Sequence, residues 1–213
     1  MSASSHSYSE LSQVPSVLGE LLHSISQPLT TLRCSLELSL SIDEKAAPQQ
    51  NTVSTALQQT ERVIGMIQLM REYVEAEQPR TEGDSASMAA TVWSVTEELC
   101  SIAAVRGIRL RLAGTCTATL PLPESRLRLA LQYLIASLLE AQADGGKVTL
   151  LLGEGPAGTV LRAEGDGKFC ATTALRTARQ AIARRVLETA GASLVLANSP
   201  ANGFVLRIPR PKL

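Results

Sequence analysis

The segment LLHSISQPLTTLR carries His23, one of two histidines in the chain, among the polar residues Ser24, Ser26, Gln27 and Thr30. A neutral imidazole is nucleophilic near pH 7, and covalent chemistry on it needs a histidine open to solvent. Around His23, residues Leu18, Leu21, Ile25, Leu29, Leu32 and Leu36 recur at steps of three and four, the apolar stripe of one helix from about Leu11 to Ile42. At ~100° per residue, His23 stands ~140° from that stripe and faces solvent, with Gln27, Thr30 and Cys34 on its side. Pro28 sits inside the same helical pattern. It removes the backbone hydrogen bond that the carbonyl of Ser24 would accept and loosens the turn beside the histidine. An exposed helical histidine is, taken alone, usually ordinary surface.

The elements that must position these residues can be read from periodicity. Asp43 to Gln50 is polar, contains Pro48 and reads as a turn. A second helical pattern runs from Thr52 to about Glu77, with Val53, Leu57, Val63, Ile64, Ile67, Met70 and Val74 forming a stripe broader than one partner helix needs. Two antiparallel helices with such faces are most economically completed by a second copy, giving a dimeric four-helix bundle. QPRTEGDSAS, residues 78–87, reads as a linker. The domains expected are therefore residues 1–80, a helical hairpin, and residues 81–213. In the latter, helices around Val92–Val105, Glu124–Ala143 and Thr173–Ala190 interleave with strands at Ile108–Leu112, 147–152, 159–163, SLVLA and FVLRIP. The fold class is α+β, the second half an α/β sandwich with helices on one face of the sheet.

Composition narrows the functions. The chain is 45% hydrophobic but only 3% aromatic, so aliphatic side chains do the packing. Net charge is zero with no long basic run, which argues against a nucleic-acid or acidic-lipid partner. Cys34, Cys100, Cys116 and Cys170 lie far apart, and with two histidines in the chain no metal site is expected. The N-terminus has no basic start followed by an apolar stretch, and no apolar run approaches the ~20 residues needed to span a bilayer, so a cytoplasmic protein with reduced thiols and no membrane contact is expected.

HSISQPLTTL resembles the phosphoacceptor box of two-component histidine kinases, which runs His, acid, two variable residues, a polar residue, then Pro-Leu; Gln27-Pro28-Leu29 looks like its NQPL-type subclass. The resemblance implies that His23 carries a phosphoryl group between ATP, or another donor, and a response-regulator aspartate. One position departs from the pattern. Ser24 stands where the family has the acid that accepts the histidine's proton, and a serine is a poor base at neutral pH. Gln27, one turn beyond His23, can still position a water or a phosphate, and Thr30 shares that side of the helix.

The resemblance extends through the second half, where it implies a histidine-kinase ATPase domain with its nucleotide contacts eroded. RLRLALQYLIASLLEAQADGGKVTL is similar to the family's N-box helix and following strand, with Tyr133 and Ser137 at positions where the family has asparagines, one of them a magnesium ligand. TVLRAEGDGKFC resembles the segment with Asp-x-Gly-x-Gly: Gly165 replaces the adenine-binding aspartate, Phe169 replaces the second glycine, and Gly167 alone is kept. Glu164 and Asp166 flank the missing carboxylate, and a one-residue shift would let either substitute for it. Little remains of the lid, and Thr177, Ala178 and Arg179 stand in place of the Gly-Leu-Gly phosphate loop, where side chains obstruct close approach to backbone amides. Arg176, Arg179, Arg184 and Arg185 make the following helix basic, either as a solvated face or for docking an acidic partner.

The resemblance thus implies a signalling protein nearest in type to histidine phosphotransferases built from a kinase core. It would be a homodimer through the hairpin, relaying a phosphoryl group through His23 to or from a receiver domain. A hybrid kinase is the candidate donor, and no cofactor is expected. An ATP- and magnesium-dependent autokinase with an unusual nucleotide site is the first alternative, and a non-enzymatic scaffold or regulator of a kinase or response regulator the second.

Overall fold

The computed structural model describes residues 14–41, 49–75, 85–166, 173–197 and 203–210. The chain divides into two compact units, Met1–Val74 and Glu75–Leu213. Most of the expected turn at 43–50 and of the expected linker at 78–87 lies outside the described residues.

The first unit is carried by two long helices, α1 (Val14–Ser41) and α2 (Gln49–Glu75). Pro28 is accommodated inside α1. Around it three hydroxyls bond back to carbonyls one turn earlier: Ser26 to Leu22, Thr30 to Ser26 and Thr31 to Gln27, at 3.1, 2.8 and 3.1 Å. Such side-chain bonds compete with the ladder and favour a bend, which suits a turn already short of one donor. Large apolar side chains stay open on both helices, among them Leu22, Leu29 and Leu36 on α1 and Val53, Leu57, Ile64, Ile67 and Val74 on α2.

The second unit is an α/β sandwich. A short pair, β1 (Ala86–Ser87) with β3 (Thr119–Leu120), borders the main sheet. That sheet is formed by β2 (Arg109–Gly114), β4 (Lys147–Gly155), β5 (Gly158–Gly165), β6 (Ser193–Ala197) and β7 (Gly203–Pro209), in the order β2-β4-β5-β7-β6. Only β2 and β4 run parallel; the other neighbours are antiparallel. Helices α3 (Met88–Val105), α4 (Glu124–Ala141) and α5 (Ala174–Thr189) cover one face. Strand periodicity selects that face: Val148, Leu150, Leu152, Leu161, Ala163, Phe204 and Leu206 are buried against Val92, Val95, Leu131, Leu134, Ile182 and Leu187 of the helices. Ser87 and Thr173 cap α3 and α5 by accepting from the amides of Ala90 and Arg176. Gly191, at φ 82°, takes the left-handed position that ends α5.

The strands run longer than their apolar cores suggest, with 147–152 extending to Gly155 and 159–163 to Gly158–Gly165, because the hairpin ladder continues through polar and glycine pairs. By length and composition α3 is apolar enough to cross a membrane. Its Met88, Val92, Val95, Leu99 and Ala103 are core residues of the sandwich, which accounts for that character.

Glu154 joins the β2–β3 connection to the hairpin by accepting from the Thr117 amide and the Thr159 hydroxyl. These donors, the Thr117 amide first, hold its carboxyl below the ordinary range. A depressed folded-state pKa supplies stability above the unfolded-state value that is lost as pH falls through the folded one. Thermal melts should therefore show wild type more stable than Glu154→Gln at neutral pH, with the gap closing as the solution is acidified below the usual glutamate range.

Candidate functional site

On α1, His23, Gln27, Thr30 and Cys34 are all exposed, while Ser24 is half-buried and Pro28 buried. Helical spacing puts His23 and Gln27 one above the other, since residues four apart share a face. Thr30 donates its hydroxyl hydrogen to Ser26, which leaves its lone pairs, not its proton, available toward a ligand. The result is an imidazole open to solvent with a carboxamide one turn further along.

In the second unit the residues expected around a nucleotide are arranged differently. Ser137 is buried, and its hydroxyl has no hydrogen-bond partner. Tyr133 is half-buried, and the guanidinium of Arg179 stands 5.9 Å from its ring centroid. The same Arg179 forms an ion pair with Glu140 at 2.5 Å. Arg179 thus ties α5 to α4 from the position where the resemblance expects a phosphate loop. Ala178, Ile182, Ala183, Val186 and Leu187 of α5 are buried, and α5 packs directly along α4. Gly167 lies outside the described residues, as do Phe169 and Cys170.

Gly165 is the centre of the arrangement. A Cβ built on it would overlap the carboxamide of Gln142, which is completely buried. The aspartate that the resemblance expects at this position would project through that same Cβ, into space the Gln142 side chain occupies. Both polar atoms of the Gln142 amide are without hydrogen-bond partners. The flanking acids do not substitute for it. Glu164 is exposed and paired with Arg162 at 2.5 Å, and Asp166 accepts from the Lys147 amide at 2.6 Å.

Gln142 is held in place by Arg106, just beyond α3. Its guanidinium donates to the carbonyls of Leu139 (2.9 Å) and Gln142 (2.7 Å) and pairs with Asp144 at 2.9 Å. These are carbonyls of a helix C-terminus, where a cation is favourable. Neither Arg106 nor Gln142 stands out in the sequence. The available signal was Gly165 itself, since a glycine inside a strand marks a close approach by another group.

The basic helix α5 is only partly a solvated face. Arg176 is buried and Arg179 is committed to Glu140 and Tyr133. Among the described residues no group of three His, Cys, Asp or Glu side chains could hold a metal ion. Cys34, Cys100 and Cys116 are free thiols, and burial pushes that of Cys116 up.

No protein-family model matches the sequence, and no curated protein matches it. Solved structures do. Histidine kinase AdeS from Acinetobacter baumannii is 15% identical over 89% of this chain and 98% of that one, with a TM-score of 0.69. The catalytic domain of histidine kinase ThkA is 14% identical over 61% and 97%, with a TM-score of 0.51. The cytoplasmic segment of histidine kinase QseC is 13% identical over 66% and 88%, also at 0.51. The chain has the fold of a histidine kinase core.

Gly165→Ala should destabilise this kinase-like core by about 1–3 kcal/mol in denaturant unfolding, the cost of overpacking a filled interior. Pairing it with Gln142→Ala should recover most of the loss, whereas an unrelated pair of substitutions would simply add.

Proposed function

We propose that this chain is a dimeric histidine phosphotransferase of two-component signalling, working in the cytoplasm and relaying a phosphoryl group through His23 without binding ATP. The observation that carries the reading is the contrast between an open His23 and a buried Gln142 packed on Gly165. Tyr133, Ser137 and Gly165 do not fit a magnesium-bridged adenine nucleotide, and Arg179 and Glu140 bridge the helices where its phosphates would lie.

The chemistry needs little from the chain beyond the imidazole. An unprotonated ring nitrogen of His23 attacks the phosphorus of a receiver's aspartyl phosphate, and the bond to the aspartate oxygen breaks as the carboxylate leaves. The other ring nitrogen keeps its hydrogen. Imidazole is then a neutral leaving group when a second receiver's carboxylate takes the phosphoryl group. A carboxylate departs more easily than ADP, so Ser24 in place of an acid is a smaller handicap in this reaction than in attack on ATP. Gln27 is placed to hydrogen-bond a phosphoryl oxygen from the next turn. The partners of the reading are a response-regulator receiver domain, with a hybrid kinase as the donor's source.

Purified protein incubated with labelled ATP and magnesium should stay unlabelled, while a receiver already phosphorylated by its own kinase should label wild type and not His23→Ala. Label from ATP that depends on His23 would replace this reading with an autokinase. Failure of every phosphorylated receiver tested to label the protein would leave a scaffold.

The second copy is inferred from the helices. Val53 is 67% exposed and Leu57 59%, and Ile64, Ile67 and Val74 are each at least half exposed, too much apolar surface for an unaccompanied two-helix unit. Sedimentation should give a dimer that Leu57→Glu with Ile64→Glu converts to monomer while circular dichroism of the sandwich is retained. A wild-type monomer at tens of micromolar would exclude the bundle.

A further inference from the structure

The face of the main sheet that turns away from the helices carries an uneven distribution of charge. Alternation assigns to it Arg109, Arg111 and Ala113 of β2, Lys147, Thr149, Leu151 and Gly153 of β4, Val160, Arg162 and Glu164 of β5, Val205 and Arg207 of β7, and Ser193 and Val195 of β6. Strand register orders them into rows. One row runs Ala113–Leu151–Arg162–Val205–Val195 across all five strands. Four members of this row are apolar and Arg162 stands at its centre; Leu151 is 47% exposed and Val195 52%, so among the described residues nothing covers it. On one side of it lie Arg111, next to Thr149 and Glu164, and beyond it the Arg109–Lys147 pair; on the other side lies Arg207, between Val160 and Ser193.

The balance of charge is one-sided. Arg109, Arg111, Lys147, Arg162 and Arg207 face outward, whereas Glu164 is the single acid of these strands on the face and is engaged by Arg162. Asp166, just past β5, directs a carboxylate oxygen to the Lys147 amide. In a chain of zero net charge, this leaves a cationic plate crossed by a seam whose aliphatic members, Leu151 on one side and Val205 and Val195 on the other, are separated by Arg162, itself paired with Glu164.

We propose that this open sheet face docks an acidic amphipathic helix of another protein. Geometry matches the occupant. The seam spans four inter-strand gaps of ~4.8 Å, about 19 Å. The rows on either side of it are each two residues away, about 13 Å apart in total, against a helix diameter of ~10–12 Å. A helix laid along the seam would place its apolar stripe on Leu151, Val205 and Val195, and its flanking carboxylates within reach of Arg111 and Arg109 on one edge and Arg207 on the other. The aliphatic row and Arg-rich rim are the composition of a protein-binding surface. A single-stranded nucleic acid is disfavoured, because the face presents no aromatic ring for bases to stack on; Phe204, in β7, is buried on the opposite face. The proposal does not depend on His23 or on phosphotransfer.

The test is a photo-crosslinking amino acid placed at Leu151 of the full-length protein in cells, with the adducts identified by mass spectrometry. The same probe at Ser101, an exposed position on α3, sets the background. The expected adduct is a segment of another protein with carboxylates flanking an apolar helical stripe. That segment, made as a labelled peptide, should bind purified wild type at least tenfold more tightly than Arg111→Glu with Arg207→Glu, and lose affinity between 50 and 500 mM salt, while the double variant melts at the wild-type temperature. Adducts with nucleic acid, with another copy of this chain, or no adduct above the Ser101 background would overturn the proposal, as would a peptide whose affinity ignores both charge reversal and salt.

Discussion

A glutamine side chain pressed against a bare glycine fixes how the end of α4 meets the end of β5 in the sandwich. Gln142 leaves the end of α4 and turns inward onto Gly165 at the end of β5, where the absence of a Cβ lets it fit. The position is not a loose accident of the loop. Arg106 binds the carbonyls of Leu139 and Gln142 and the carboxylate of Asp144, so one guanidinium fixes the exit of α4 and the turn that follows. The space beside Gly165 is filled, at the cost of an unsatisfied buried amide.

The contact between α5 and α4 follows the same pattern. In this chain Ala178, Ile182, Ala183 and Leu187 bring α5 onto α4, and Arg179 closes the outer side by pairing with Glu140 over Tyr133. Apolar contact supplies most of the cohesion, and the ion pair, being partly exposed, contributes orientation more than energy. Arginine suits the position because its planar group serves a carboxylate and a ring at once, which lysine does less well.

Much of this architecture was legible in the sequence, for reasons that differ by element. The stripe from Leu18 to Leu36 and the exposure of His23 follow from helical geometry alone, and Pro28 with Gln27 and Leu29 carried the resemblance. The sheet strands followed from alternation and the Gly-Pro turn, although their ends ran further because glycine and polar pairs continue the ladder. The contact between Gln142 and Gly165 was not legible. It joins residues on different elements, and it depends on the register of β4 with β5 and on a turn pinned by Arg106, none of which periodicity reports. Arg176 and Arg179 depart from a solvated face for a related reason: the first is buried and the second is held by Glu140 and Tyr133 of a neighbouring helix, which periodicity along one helix does not report.

A fold built around a ligand normally loses definition when the ligand's contacts are lost, because polar groups aimed at it become orphans. In this chain, buried side-chain atoms without partners lie on both sides of the α4–α5 contact. Ser137 and the amide of Gln142 are on the α4 side, and the Nε atoms of Arg179 and Arg184 are on α5. The sheet displays Leu151, Val195 and the arginines around them in rows fixed by strand register. The two proposals made for this chain are therefore separable, the first resting on exposure of a single imidazole and the second on the shape and charge of the sheet face.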